Sequence, residues 1–433
     1  MTPSLTSSTT QTSTDRRTIQ QPCPNCGHSE LQVFYEVPNI PVHSCLALPD
    51  REMALSVARG SLSLGFCPHC GFITNTAFDE RHCDYLANYE DQQGFSPTFN
   101  SFTGRLSTRL IEKYNLQGKR ITEIGCSKGD FLLTMCQLNQ GTGIGIDPSA
   151  TIGRALDALK ALEAASPEGI TPNSVTHRVS FIHDFFSEAH QDAIGEFVCC
   201  RHTLEHIGET QTFLQTLRRA IGDRLETVVF FEIPDMGRVL RSQAFEDIYY
   251  EHCSYFTTGS LAYLFRQCGF EILDLYLEYG DQYLMIEAKP AAGFDESSEA
   301  ASRQQPLAIE DTVSEIEQDI AVFTQKIETK LATWRQHLQE MKQAEKRVAI
   351  WASGSKCTAF LTTLDVAGAI ACVVDINPYR QGTFVPGVGL EVQSPQFLQD
   401  YQPDEVILMN AIYRDEIQKM LTEMNVNTKI VTI

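Results

Sequence analysis

The segment Arg120-Ile-Thr-Glu-Ile-Gly-Cys-Ser-Lys-Gly-Asp-Phe-Leu132 decides the predicted fold of the chain. Its apolar beginning predicts a strand, its glycines predict a turn, and its apolar end predicts the start of a helix. Such a turn lets a nucleoside approach the backbone closely, and a helix N-terminus adds partial positive charge. Glu123, Gly125, Ser127 and Gly129 are therefore candidate cofactor-binding residues. Because Ser127 replaces the middle glycine of the usual dinucleotide fingerprint, a tight pyrophosphate clamp is disfavoured.

Three further strands are predicted after this turn. The first ends in Asp147, an acid placed to accept hydrogen bonds from both hydroxyls of a ribose. The second precedes His183-Asp184-Phe185, and the third opens the segment Phe197–Ile207. Apolar strands alternate with helical periods from about residue 86 to 290, which predicts βαβ units and a mostly parallel sheet.

Two copies of one cysteine pattern, Cys23-Pro-Asn-Cys26-Gly and Cys67-Pro-His-Cys70-Gly, lie before that region. Four thiolates suit the tetrahedral coordination of zinc, and the glycine after each second cysteine permits a positive φ in the turn. A redox dithiol is the alternative, but it would usually occur once, on a helix after a strand. Since four cysteines leave no open coordination position, the predicted zinc site is structural.

The length of 433 residues suggests about three domains at roughly 150 residues each. Shifts in composition divide the chain into a disordered Ser/Thr-rich tail (1–20), a zinc-binding domain (21–85), a cofactor-binding core (86–290), a linker with a long helix (291–345) and a C-terminal α/β domain (346–433).

The long helix carries apolar residues every three or four positions from Ile309 to Met341. This stripe predicts packing against the chain's own domains, so that the helix joins two lobes. A dimerising coiled coil is the alternative, and the sequence is compatible with a monomer or a homodimer.

Charge and hydropathy exclude several classes of protein. The chain has 34 Lys and Arg against 55 Asp and Glu, a net charge of −21, which argues against a general nucleic-acid binder. No apolar run approaches the ~20 residues of a membrane span, and the N-terminus has no apolar signal region. We therefore expect a cytoplasmic protein with a small-molecule acceptor and neither a nucleic-acid nor a membrane partner.

The order of motifs resembles that of the class I S-adenosylmethionine-dependent methyltransferases. The resemblance implies that the turn Gly125–Gly129 holds the methionine end of the cofactor, Asp147 the ribose and Asp184 the adenine amine. His202 is a weaker candidate for the same site. For Asp184, a surface acid before a helix is the alternative interpretation.

The chain is more narrowly similar to the sugar C-methyltransferases, which act on nucleotide-activated keto-deoxysugars. The similarity covers residues 22–433, and its motifs are Leu204–Ile207, Glu232–Pro234, Tyr249–Phe256, Val374–Pro378 and Gln381–Gly387. It implies an α/β fold in which a class I methyltransferase Rossmann-like core lies between a small N-terminal zinc-binding domain and a C-terminal Rossmann-like α/β domain.

Methylating carbon beside a ketone requires a base for the α-proton and donors for the enolate oxygen. His252 is the predicted base because an imidazole titrates at about pH 6.5. Glu251 or Glu232 could orient it, and Tyr249 or Tyr255 could donate to the enolate. A buried structural histidine is the alternative for His252.

Two further catalytic candidates are His206, for which a structural role is equally open, and Tyr89. The segment Tyr89–Ser96 departs from the family pattern, as do Tyr250, where histidine is common, and Gln282. Lys356 could meet a phosphate as a point charge or be solvated at a helix start.

The acceptor therefore stays open. The alternatives to C-methylation of a nucleotide sugar are O- or N-methylation of a sugar or secondary metabolite, and a non-catalytic zinc-ribbon assembly protein.

Overall fold

A computed structural model of the chain describes residues 16–83, 89–149, 151–165, 174–293 and 304–433. Its strands are β1 (Arg17–Gln20), β2 (Glu30–Pro41), β3 (Arg59–Phe66), β4 (Ile73–Asn75), β5 (Ile121–Ile124), β6 (Gly143–Ile146), β7 (Val179–Ile182), β8 (Phe197–Arg201), β9 (Val228–Pro234), β10 (Ser254–Tyr255), β11 (Phe270–Glu278), β12 (Tyr283–Pro290), β13 (Val348–Trp351), β14 (Cys372–Val374), β15 (Val392–Gln393), β16 (Glu405–Leu408) and β17 (Lys429–Thr432). Its α-helices are α1 (Arg51–Leu55), α2 (Pro97–Lys113), α3 (Asp130–Asn139), α4 (Arg154–Ala165), α5 (Thr210–Ile221), α6 (Met236–Ser242), α7 (Thr258–Gln267), α8 (Val313–Gln343), α9 (Ser355–Leu364), α10 (Leu398–Tyr401) and α11 (Arg414–Glu423).

The central sheet has seven strands in the order β11-β12-β9-β8-β5-β6-β7. The strands from β9 to β7 are parallel, and β12 runs antiparallel to both of its neighbours. The chain winds outward from β5 through β6 to β7 and then returns to β8 on the other side of β5. This order confirms the predicted Rossmann-like core and creates a topological switch point between β5 and β8.

The C-terminal sheet is entirely parallel, in the order β15-β14-β13-β16-β17. It repeats the doubly wound pattern of the core, with its own switch point between β13 and β16. The predicted C-terminal Rossmann-like unit is confirmed.

The N-terminal sheet is antiparallel, in the order β1-β2-β3-β4-β10. Its last strand belongs to the core segment of the chain, because Ser254 pairs with Thr74 and Tyr255 with Ile73. The segment that follows the predicted base His252 is thus built into the sheet of the cysteine-containing region.

Helix α8 packs its apolar stripe against the chain's own sheets. Phe323 lies edge-on to Tyr35 of β2, with ring centroids 5.3 Å apart, and Trp334 lies edge-on to Phe360 of α9, also at 5.3 Å. The helix therefore connects the N-terminal sheet with the C-terminal unit, as its periodicity predicts.

The structure differs in part from the predicted disordered tail of residues 1–20. Residues 1–15 lie outside the described residues, whereas Arg17–Gln20 form β1 at the edge of the N-terminal sheet. The strand forms because Ile19 packs on the core and Arg16 donates to the carbonyl oxygen of Glu317 at 3.2 Å. In the described part of the chain, no helix is both long and apolar enough to cross a membrane.

Candidate active site

A cavity of about 400 Å³ lies between the carboxyl ends of the core strands and those of the C-terminal strands. Residues of both switch points line it, Gly125 and His202 from the core and Trp351 and Asn410 from the C-terminal sheet. The predicted site residues that line it are Tyr89, Glu123, Gly125, Ser127, His202, His206, Tyr249 and His252. Gly129, Asp147, Asp184, Glu251 and the four cysteines are not part of its wall.

The turn after β5 has the backbone that its glycines predict. Gly125 and Gly129 have φ values of +70° and +91°, and Ser127 also adopts a positive φ of +47°. A Cβ on Gly125 would collide with the hydroxyl of Thr203, and one on Gly129 would lie 2.5 Å from the ring of Phe181. Both glycines are therefore required by sterics as well as by φ.

Asp147 stabilises this turn through hydrogen bonds to backbone amides. Its carboxylate accepts from the amide of Ser127 at 2.7 Å and from the amide of Ser149 at 2.7 Å. Burial raises the pKa of Asp147. The predicted contact with ribose stays a prediction, since a carboxylate can accept further bonds.

Asp184 lies further out. Its side chain is 62% exposed, accepts from the amide of Phe185 at 2.8 Å and lies 3.5 Å from His190 Nε2. Its predicted role at the adenine amine is not tested by these contacts.

Glu123 is the residue in the turn region with unused hydrogen-bonding capacity. It is 3% exposed, and within the described structure its Oε2 atom has no hydrogen-bond partner. Burial raises the pKa of Glu123 to about 8, although the nearby Arg201 guanidinium opposes the shift. A donor entering the cavity would satisfy this oxygen, and the ammonium group of S-adenosylmethionine is such a donor. The residues present therefore fit that cofactor.

Lys128 fastens the segment before α2 beside the turn, a role that the sequence did not indicate. Its buried Nζ donates to the carbonyl oxygen of Tyr89 at 2.9 Å and forms an ion pair with Asp91. Gln92 also donates to Asp130 at 2.7 Å. These bonds bring Tyr89 to the cavity wall.

A buried charge cluster lies at the carboxyl ends of β8 and β9. Arg201 binds Glu232 with two hydrogen bonds of 2.9 and 2.7 Å, and His202 Nε2 lies 2.8 Å from the same carboxylate. Burial alone would raise the pKa of Glu232, but the two cations lower it to about 2. Burial also opposes protonation of His202, yet contact with Glu205 and Glu232 raises its pKa to about 9. His202 is therefore a cation at neutral pH.

The predicted base His252 lies among aromatic rings. Its ring centroid is 4.1 Å from that of Tyr249 and 4.8 Å from that of His206. Burial and then the neighbouring His206 lower the pKa of His252 well below its ordinary value. It is therefore a neutral imidazole with a lone pair at neutral pH. Burial raises the pKa of Tyr249 well above 10, so its hydroxyl keeps its proton.

The carboxylate of Glu251 turns away from His252. It accepts from His43 Nδ1 at 3.0 Å, from the amide of Ser44 at 2.8 Å and from the hydroxyl of Ser44. Its main-chain carbonyl accepts from His206 Nδ1 at 3.1 Å. The structure thus makes Glu251 an anchor of the segment that carries His252, a contact that no local sequence signal indicates.

Two other side chains of this segment also serve the framework. Tyr255 donates its hydroxyl to the carbonyl oxygen of Tyr249 at 3.0 Å. Tyr250 packs over Gly60 and accepts from the amide of Asp79 at 2.9 Å. Tyr250, where the family commonly has histidine, therefore packs beneath the N-terminal sheet and is not part of the cavity wall.

The C-terminal side of the cavity begins at α9. Lys356 Nζ lies 2.8 and 2.7 Å from the two carboxylate oxygens of Asp247 and donates to Gln282 at 3.2 Å. Arg238 shares the same carboxylate. Lys356 is therefore paired rather than solvated.

The four cysteines form one cluster whose sulfur atoms lie within 4.8 Å of one another. Cys23 and Cys70 are 3.8 Å apart and Cys26 and Cys67 are 3.6 Å apart, sulfur to sulfur. Gly27 and Gly71 have φ values of +74° and +75°, as the repeated pattern predicts. This donor set fits a tetrahedral zinc ion.

The cluster also packs on the core. Asn25, between the first two cysteines, donates to the carbonyl oxygen of Ser260 in α7 at 3.2 Å, and Thr210 of α5 donates to that of Pro24 at 3.2 Å.

Two protein families match the chain. A family described as methyltransferase domain matches residues 99–275, and the C-methyltransferase C-terminal domain matches residues 295–432. The C-methyltransferase NovU of Streptomyces niveus is 24% identical over 405 residues, which is 91% of this chain and 90% of that protein.

Solved methyltransferase structures are similar to the chain at lower identity. Magnesium protoporphyrin IX methyltransferase from Synechocystis PCC 6803 with bound SAH is 14% identical, covers 45% of this chain and 84% of its own, and has a TM-score of 0.35. For the N,N-8-amino-8-demethyl-D-riboflavin dimethyltransferase of Streptomyces davawensis, the identity is 18%, the coverage 45% and 56%, and the TM-score 0.34.

Proposed function

Since the chain belongs to the S-adenosylmethionine-dependent C-methyltransferases, we propose that it methylates a carbon next to the ketone of a nucleotide-activated deoxysugar. The observation that carries this proposal is the neutral imidazole of His252 in the cavity wall, between the cofactor turn and the C-terminal sheet.

His252 removes the α-proton in this mechanism. Burial keeps its ring uncharged, and the Glu251 side chain anchors the segment that carries it. Tyr249, which keeps its proton, donates a hydrogen bond to the developing enolate oxygen. His206 and Tyr89 complete the wall around the reacting carbon.

The cofactor supplies a methyl group on a sulfonium. Because its leaving group departs neutral, the transfer needs only the alignment of the methyl group with the reacting carbon. Glu123 would hold its ammonium group, and the turn Gly125–Gly129 would hold its methionine end. We assign Asp147 to its ribose and Asp184 to its adenine, as the family resemblance implies.

We place the nucleotide part of the acceptor at the switch point of the C-terminal sheet, between β13 and β16. Ligands of open α/β sheets bind outside the carboxyl ends of the strands at such a point. Trp351, Gly354 and Lys356 line the cavity there. A diphosphate would compete with Asp247 for Lys356.

We also propose that the cysteine cluster holds a structural zinc ion. Its contacts with α5 and α7 then make the metal part of the framework beneath β10 and the segment containing His252.

The test is to incubate the protein with methyl-labelled S-adenosylmethionine and a panel of nucleotide-linked keto-deoxysugars. Mass spectrometry should find the label on carbon. In deuterated water, wild-type enzyme should also exchange the α-proton of the acceptor. His252→Gln should lose exchange and transfer while binding the cofactor normally.

His82→Ala, a half-exposed histidine outside the cavity, is the matched control. A product methylated on oxygen or nitrogen would refute the proposed reaction, and full turnover of His252→Gln would refute the base.

A further inference from the structure

Two cationic side chains meet on one carboxylate in the cavity wall. Lys356 Nζ lies 2.8 Å from Asp247 Oδ2 and 2.7 Å from Oδ1, and Arg238 forms an ion pair with the same Oδ2 atom. All three residues line the cavity. Burial opposes ionisation of Asp247, but Lys356 and then Arg238 lower its pKa overall, so the carboxylate is charged at neutral pH. The cluster therefore carries two positive charges and one negative charge.

Arg238 also has an unused hydrogen-bond donor. Within the described part of the chain, its Nε atom is buried and makes no hydrogen bond. The side chain is 21% exposed, and the residue lines the cavity. A buried donor without an acceptor is costly, and a hydrogen-bond acceptor bound in the cavity would satisfy it. The unused donor and the surplus positive charge both favour an anionic ligand.

Two other acids interact with Arg238, but they do not cancel this charge from within the cavity. Glu246 and Asp235 both act on it electrostatically, and neither lines the cavity. Burial raises the pKa of Glu246, which favours its neutral form. Asp235 caps α6 through the amides of Gly237 and Arg238, and its carboxylate lies 3.5 Å from Arg241. Since Asp235 already has a cationic partner, the surplus positive charge of the cluster persists.

The cluster lies beside the C-terminal crevice and near the predicted base. Lys356 stands in the first turn of α9, two residues after Gly354, where a Cβ would meet no other atom within 4 Å. An anion can therefore approach this backbone closely, and the helix N-terminus adds partial positive charge. Burial is the main cause of the low pKa of His252, and the positive charge of Lys356 is among the further causes. An anion at the cluster would thus lie within reach of both regions.

We propose that Arg238 and Lys356 bind the diphosphate that links the nucleoside and the sugar of the acceptor. The assignment rests on the proposed function, because that function supplies the diphosphate. An arginine guanidinium donates in a fixed planar pattern that suits phosphate oxygens, and a lysine adds a point charge. Asp247 orients both cations and neutralises one of them, so it weakens the binding of the anion.

Binding can be measured without any sugar. The full-length protein is titrated by calorimetry with UDP, dTDP, GDP and ADP, and with inorganic pyrophosphate as the probe that lacks a nucleoside. We expect at least one nucleoside diphosphate to bind once per chain, more tightly than pyrophosphate and less tightly as the salt concentration rises. Pyrophosphate that binds as tightly as every nucleoside diphosphate would overturn the assignment of the site to a nucleotide.

Two variants should shift the affinity for that nucleoside diphosphate in opposite directions. Arg238→Gln should weaken binding by at least about tenfold, because a hydrogen bond to a charged group is lost. Asp247→Asn should strengthen binding several-fold, because the variant lacks the negative charge that repels the diphosphate. A merely structural role of the cluster would weaken binding in both variants. Arg241→Gln, on the same helix but outside the cavity wall, is the matched control and should bind as wild type.

Three results would overturn the site. The first is that none of the probes binds, and the second is that Arg238→Gln binds as tightly as wild type. The third is that Asp247→Asn, shown by thermal unfolding to be folded, does not bind more tightly. Arg238→Lys keeps the charge and should recover part of the affinity that Arg238→Gln loses.

Kinetics separate this assignment from the proposed function. With a sugar that the enzyme methylates, Arg238→Gln should raise KM by about tenfold or more and change kcat little, because the diphosphate is bound equally before and during the reaction. Methylation of carbon with an unchanged KM would overturn the site and leave the proposed reaction intact. Diphosphate binding that depends on Arg238, with no sugar methylated, would overturn the proposed reaction and leave the anion site intact.

Discussion

The affinity for S-adenosylmethionine should depend on pH through Glu123. In the cofactor-free protein, burial raises the pKa of this carboxyl to about 8, so it is mostly protonated at neutral pH. Pairing with the cofactor's ammonium group favours the carboxylate and lowers that pKa. Binding therefore releases a proton, and the affinity should rise with pH until about pH 8 is reached.

The size of the effect follows from the fraction ionised. With a pKa of about 8, roughly 1% of Glu123 is a carboxylate at pH 6 and roughly 9% at pH 7. The affinity should therefore increase about ninefold between these two values, close to the limit of ~1.4 kcal/mol per pH unit. An α-amino group titrates near pH 7.7–8.0, so the cofactor stays charged over this range.

Calorimetry at both pH values, in buffers of different ionisation enthalpy, measures the Kd and the released proton together. Glu123→Gln is the matched control, since it keeps the shape but cannot ionise, and its affinity should change little with pH. A wild-type Kd that is constant between the two pH values would refute the reasoning. If the affinity of Glu123→Gln depended on pH as strongly as that of the wild type, the released proton would come from another group, such as Asp147, whose pKa is also raised by burial.

Three other predictions concern the framework of the site. Cys67→Ser should reduce the zinc content and lower the Tm by several degrees, measured by metal analysis and thermal unfolding, because it removes one of four clustered thiolates. Gly125→Ala should weaken cofactor binding by roughly tenfold in calorimetry with unchanged zinc content, because a positive φ costs roughly 1–2 kcal/mol and the new Cβ would collide with Thr203. Arg201→Met should destabilise the fold by about 3–5 kcal/mol in denaturant unfolding at neutral pH, because it removes the main partner of the buried Glu232. The deficit should shrink at acidic pH as that carboxyl takes up a proton.

The features that follow local rules could be predicted from the sequence. The strand, turn and helix around Gly125 depend on residues within one short segment, as does the positive φ after each cysteine pair. The apolar stripe of α8 likewise predicts its buried face. In each case the feature depends on residues that are close together in the sequence, so the local pattern is enough to predict it.

The hydrogen bonds of the site could not be predicted, because they join distant parts of the chain. Glu251 binds His43, which is 208 positions away, so its own motif does not show which way the carboxylate turns. Lys128 pairs with Asp91 from a segment that departs from the family pattern. Which acceptor atoms of a side chain are available to a ligand can be stated only when its hydrogen-bond partners in the fold are known.

The two doubly wound sheets show why the position of an acid does not by itself define a ligand site. In the C-terminal sheet, Asp375 follows β14 and accepts from the amide and hydroxyl of Ser353, just as Asp147 accepts from amides of its own turn. Gly125 and Ala352 each donate to the carbonyl oxygen of the last residue of the neighbouring strand, so the first strands of the two sheets can be aligned at these two residues.

The difference lies two residues earlier on the first strand, where the core has Glu123 and the C-terminal sheet has Ile350. Only the core turn therefore has a buried carboxylate oxygen that an ammonium group would satisfy. This asymmetry supports our proposals that the cofactor binds at the core turn and that the acceptor occupies the matching crevice of the C-terminal sheet.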